Sequence, residues 1–169
     1  MKKFLSLLVF TLCSFIANAH EDVTLVSFDV EIDNAVIGGV PANVFSTYEN
    51  RWEEVRSGFI RNFGYGINLR SSSKKSKYVA GANLNSDIIL HVVNIVIDNG
   101  GDATAEAYIT DKQGNELASR VKISGDGDSE SEEDYLYYDN ATTSKFLKHL
   151  IVAAFDMGDE ARKLLDKVH

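Results

Sequence analysis

Residues 86–124 read SDIILHVVNIVIDNGGDATAEAYITDKQGNELASRVKIS, and the fold is decided in this stretch. Positions 86–98 are apolar almost without interruption and rich in Ile and Val. That is the pattern of a strand covered on both faces or placed mid-sheet. Asn99-Gly100-Gly101 is a hairpin turn signal. Residues 103–110 alternate apolar and polar, and Asp111-Lys112-Gln113-Gly114-Asn115 makes a second turn. Residues 117–124 then supply a third strand, with Leu117, Ser119, Val121 and Ile123 on one face. Sequential strands joined by tight turns form an antiparallel meander.

Upstream, Phe45, Tyr48, Trp52, Val55, Phe59 and Phe63 recur at steps of three and four, which predicts one helix with an aromatic stripe. Asn43 is its expected N-cap, and Gly64 or Gly66 its expected end. Before it, residues 23–33 alternate as a strand through Val26, Phe28, Val30 and Ile32. After it, residues 69–77 (LRSSSKKSK), with Arg70, Lys74, Lys75 and Lys77, read as an exposed basic loop. Its alternative role is contact with anionic head groups or an acidic partner, an attraction that fades with salt.

Downstream, residues 125–134 (GDGDSESEED) form an acidic run, followed by Tyr135-Leu136-Tyr137-Tyr138 as a short edge strand. Thr142 or Thr143 caps a final helix, in which Gly158 bends the axis or marks a close contact. Arg162, Lys163 and Lys167 near its end suit the helix dipole. The expected class is α+β: an antiparallel sheet of about four to five strands, in the order strand, helix, three-strand meander, helix. Both amphipathic helices pack on one face, in a single domain spanning residues 20–169.

The first nineteen residues, MKKFLSLLVFTLCSFIANA, read as an export leader. Lys2 and Lys3 precede an apolar run, and Ala17-Asn18-Ala19 offers the small residues a signal peptidase accepts. Phe10-Thr11-Leu12 before Cys13 lacks the small residues that lipidation needs, so cleavage after Ala19 is the expected route. A periplasmic or secreted destination follows. Cleavage removes two lysines and no acid, taking the net charge from −8 to −10, and it removes the one cysteine. Disulfide frameworks, thiolate metal sites and thiol catalysis are thereby excluded, and the acidity opposes nucleic-acid binding. Past the leader, the apolar run near 88–97 is half of what a membrane-crossing helix needs.

The meander also resembles known domains. SDIILHVVNIVID, followed by a turn and AEAYITDKQGNELASRVKISGDG, is similar to small bacterial envelope domains. These include the sheet-and-helix module of the curli secretion lipoprotein and the N-terminal domain of the Tol-system propeller protein. The shared features are a strand opening on Asp and two apolar residues and a D-x-x-G-x-x-L-A turn, here Asp111, Gly114, Leu117 and Ala118. The resemblance implies a sheet-and-helix fold and a role in envelope assembly or protein binding, and it carries over no catalytic residue.

Two site readings compete with structural ones. Asp126, Asp128 and Glu130 match the first three positions of a calcium loop, but Ser131 stands where glycine is needed and Tyr137 where the bidentate Glu belongs. The run is therefore either a solubilising loop or a weak calcium or small-ligand site. Tyr135, Tyr137 and Tyr138 abut it and suit a partner contact, since Tyr combines an apolar body with a polar tip. Among His20, His91, His149 and His169, an N-terminal His20 could chelate copper only with a second histidine close by. No phosphate loop, nucleophile elbow or paired catalytic carboxylates occur, so a catalytic role is not expected. The reading is a non-enzymatic envelope domain without a cofactor, binding a protein partner or surface through the sheet edge and Tyr135–Tyr138. Intact-mass measurement of the exported protein is expected to give a chain starting at His20, with no acyl mass on Cys13.

Overall fold

The long apolar run becomes β5 (Ile88–Ile97), the centre of the sheet in the computed structural model, which describes residues 23–71, 77–128 and 145–168. On one side β5 pairs antiparallel with β6 (Ala103–Asp111), and β6 pairs antiparallel with β7 (Glu116–Gly125), the expected meander. On the other side it pairs with two strands end to end. β1 (Val23–Val30) lies parallel along its first half, and β2 (Val36–Ile37) parallel along its last residues. A 3-10 turn at Ile32–Asn34 separates them. β3 (Val40–Pro41) pairs back on β2, and β4 (Lys77–Ala82) lies parallel outside β1.

Among the described residues the sheet is therefore mixed and seven-stranded, where an antiparallel sheet of four to five strands was expected. The physical reason is that tight turns fix direction only for β5, β6 and β7. The direction of β1 is set by a long crossover, and nothing local encodes it. β4 (KYVAGA) is too short and too rich in small residues to read as a strand, so the expected basic loop gives way to it at Lys77.

The predicted aromatic helix is split. α1 (Ala42–Phe45) ends where Ser46 and Thr47 hydroxyls donate back to the carbonyls of Asn43 and Val44, at 2.9 and 2.7 Å. Such bonds offer the backbone an alternative to the next helical turn. α1 starts from Pro41, two residues ahead of the expected Asn43 cap, and Tyr48 falls in the break, 62% exposed. α2 (Trp52–Ser71) then continues the stripe through Val55, Phe59, Phe63 and Ile67, all buried. It passes through Gly64 and Gly66 without stopping, which corrects the expected helix end.

Those glycines act by packing. Gly64 faces the Phe28 ring of β1. Gly66 meets the other long helix, α3 (Lys145–Leu165), so closely that a Cβ there would overlap the Phe155 carbonyl oxygen. Gly158 reciprocates: its Cβ would overlap the Phe63 carbonyl oxygen. Of the two alternatives for Gly158, a bend or a close contact, the structure shows the contact. α2 and α3 thus meet backbone to backbone over one face of the sheet. Arg162 of α3 is buried there, its guanidinium bonded to Asp166 at 2.9 Å and Asp159 at 3.4 Å. The Tyr78 hydroxyl donates to the Leu165 carbonyl at 3.2 Å, joining β4 to the end of α3.

Among the described residues no helix covers the other face of the sheet. Residues 83–87 cross over β1 there, since β4 and β5 flank it and run parallel to it. Leu84 rests against Gly81, and the Ser86 hydroxyl donates to the Leu25 carbonyl. Among the described residues no helix is long and apolar enough to cross a membrane.

The glycine crossing yields a sharp contrast. Gly66→Ala should lose about 2–3 kcal/mol, net of the roughly 1 kcal/mol that alanine gains within a helix. Gly58→Ala, on the same face of α2, meets only the Ile151 side-chain tip at 3.3 Å and should be near neutral. Urea titration of the two variants reads the difference.

Candidate functional site: the open face of the sheet

Alternation along each strand sends one set of side chains to the helices and the other to the uncovered face. Val26, Phe28, Leu90, Val92, Ala107 and Ile109 go inward. Outward point Leu25 on β1 and Val79 on β4, directly paired and each about half exposed. Toward the other end lie Val36 on β2 and Val96 on β5, also directly paired and exposed. Val96 reaches this face because β5 bulges between Val93 and Val96, with Asn94 at φ 54° in the left-handed region. Asn tolerates that conformation better than a β-branched residue. Its side chain donates to Glu106 at 3.2 Å.

A polar and aromatic band separates the two aliphatic pairs. His91 and Tyr108, opposite each other on β5 and β6, stack with centroids 4.7 Å apart and planes 15° apart. The Arg120 guanidinium of β7 lies 4.1 Å from the Tyr108 ring centre. His91 Nε2 lies 3.0 Å from the Thr110 hydroxyl. The row His91–Tyr108–Arg120 ties three strands together side by side. His91 therefore has a packing role across the sheet.

Among the described residues β7 forms one edge of the sheet, and its pairing with β6 is irregular at two places, between Ala107 and Ile109 and between Ile109 and Thr110. These shifts turn Leu117 outward and bring Ala118 against Ile109, so the expected single face of Leu117, Ser119, Val121 and Ile123 is broken. Bulges and exposed charges, here Glu116, Arg120 and Lys122, oppose strand addition.

The aspartates of the turns have local tasks. Asp98 Oδ1 accepts the N–H groups of Gly100, Gly101 and Asp102. Asp102 accepts from the Gly127 N–H at 2.9 Å, and Asp126 from the Asp128 N–H at 2.8 Å. Asp128 lies 3.1 Å from His149 Nε2, and His149 Nδ1 bonds the Gly100 carbonyl at 2.8 Å. His149 thereby clips both the β5–β6 turn and the exit of β7 to α3. Gly101 and Gly127 leave it room, as a Cβ on either would crowd the His149 Cβ. Sequence reasoning missed this residue, and the glycines on either side of two acidic turns were the available signal.

Of the predicted metal set, the structure places Asp126 and Asp128 in this corner, and Glu130 lies outside the described residues. Among the described residues no three His, Cys, Asp or Glu side chains group to hold a metal ion. Tyr135, Tyr137 and Tyr138, His20 and the leader also lie outside the described residues.

The elements define an α+β domain with one helix-covered face and one open face. No protein-family model and no curated protein matches the chain. Solved structures of similar outline include a minor lipoprotein from Acinetobacter baumannii, with 10% identity and a TM-score of 0.37 over 88% of this chain and 90% of that one. A second, described as an uncharacterized protein, has 9% identity and a TM-score of 0.36 over 87% and 91%. A third, from Xanthomonas campestris and of the DUF330 family, has 11% identity and a TM-score of 0.37 over 86% and 84%. Likeness of this degree carries no argument about what this chain does.

The second meander turn gives a pH-dependent expectation. Asp111 accepts from the Asn115 side chain at 2.7 Å and from the Asn115 and Gln113 N–H groups, which hold its pKa below the usual carboxylate range. A depressed native pKa means the stabilisation is present above the unfolded pKa and is lost as pH falls through the native one. Asp111→Asn should be less stable than wild type at neutral pH, with the gap closing in acid. Melting curves across that range check it.

Proposed function

We propose that the protein is an exported bacterial envelope domain, without catalytic activity, that binds a protein partner through the open face of its sheet. The observation that carries the reading is the pair of aliphatic contacts, Leu25 with Val79 and Val36 with Val96, left uncovered while α2 and α3 protect the opposite face. Apolar pairs rimmed by polar groups, here the His91–Tyr108–Arg120 row, are how interaction surfaces are commonly built. The export leader and the acidic balance support a periplasmic or secreted location and oppose nucleic acid as the partner. Tyr135, Tyr137 and Tyr138 are the further contacts proposed from sequence.

The test is chemical cross-linking in intact cells with wild type and with Leu25→Glu/Val79→Glu. Both positions are on the surface, so the melting temperature should stay within a few degrees, while the cross-linked adduct should fall at least tenfold. An adduct that persists at full yield in the folded double variant rejects the open face as the docking surface. Stabilisation of the wild type by calcium in the same melting assay would favour the cation-binding reading instead.

A further inference from the structure

β4 ends the sheet on the side away from β7. Among the described residues its strand partner is β1 alone. From Val79 to Ala82 it carries no charge and no proline, and its register with β1 is unbroken. Over these residues it lacks the charge, proline or bulge that keeps an edge strand from pairing with another chain. One side chain stands in their place. The Asn68 amide of α2 donates to the Ala80 carbonyl at 2.9 Å, and its Oδ1 accepts the Ala80 N–H at 2.8 Å. Two residues facing each other in an antiparallel ladder exchange this same pair of bonds.

We propose that Asn68 is an edge lock: its amide takes the place of one residue of a neighbouring strand and keeps β4 from pairing with β4 of a second copy of this chain. The copy is the occupant because β4 is self-complementary about Ala80. In a two-fold antiparallel pairing Ala80 faces itself, Val79 faces Gly81 and Tyr78 faces Ala82, so a larger residue always meets a small one. The open-face pair Leu25 and Val79 sits beside this edge, and pairing would merge it with its counterpart. This inference is independent of the proposed function, which uses the face and not the edge.

Sedimentation velocity over a concentration series tests it. Asn68→Ala should strengthen dimerisation at least tenfold over wild type. Adding Val79→Lys, which places like charges near the two-fold axis, should return it to the wild-type level. A folded Asn68→Ala with unchanged association, or association that survives Val79→Lys, overturns the proposal. If Asn68→Ala fails to fold, hydrogen exchange of the wild type decides. The Ala80 amide should exchange at least tenfold more slowly than the Ala82 amide, which lies on the same side of the strand, and equal rates overturn the lock.

Discussion

The contact on which the structure depends is the backbone crossing of α2 and α3. Gly66 against Phe155 and Gly158 against Phe63 leave no room for a side chain at either glycine. Their closeness keeps the helical layer compact enough for one face of the sheet to support it. Gly64 then lets α2 settle on Phe28, and Ile67, Leu150 and Met157 are fully buried in the same core. Interiors are packed as densely as organic crystals, so such a crossing sets the position of each helix to a fraction of an ångström. Tyr78 with Leu165, and Asn68 with Ala80, then fix β4 relative to both helices.

Legibility in the sequence followed the range of the interactions. Local chemistry was readable: the meander, its two turns and the amphipathic stripe of α3 all stand where periodicity and turn residues put them. The parallel half was not, because the partners of Val26 are Ile88 and Ala80, far along the chain, and no turn specifies them. Gly64 and Gly66 were misread for a related reason. A glycine inside an apolar stripe has the same local signature whether it ends a helix or admits a neighbour, and only the tertiary contact separates the two. Tyr48 fits the helical period, yet Ser46 and Thr47 redirect the backbone before it can join the stripe. The candidate site was legible only in part: His91 was visible, but its stacking on Tyr108 depends on register, which alternation alone does not give.

The acids of the turns and those of the open face have different partners. Asp98, Asp102 and Asp111 satisfy backbone N–H groups where the chain reverses, while on the open face Glu106 accepts from the Asn94 amide and Asp29 stands opposite His91.

The end-to-end arrangement of β1 and β2 along β5 governs the order of assembly during synthesis. The ribosome releases β1 first, but Val26 completes its pairing only once Ala80 and then Ile88 have emerged, and Val36 only once Val96 has. β2 has β3 beside it at once, but β1 stays without a strand partner until β4 has emerged. That interval is when a holdase or a translocation channel could keep the polypeptide from premature association.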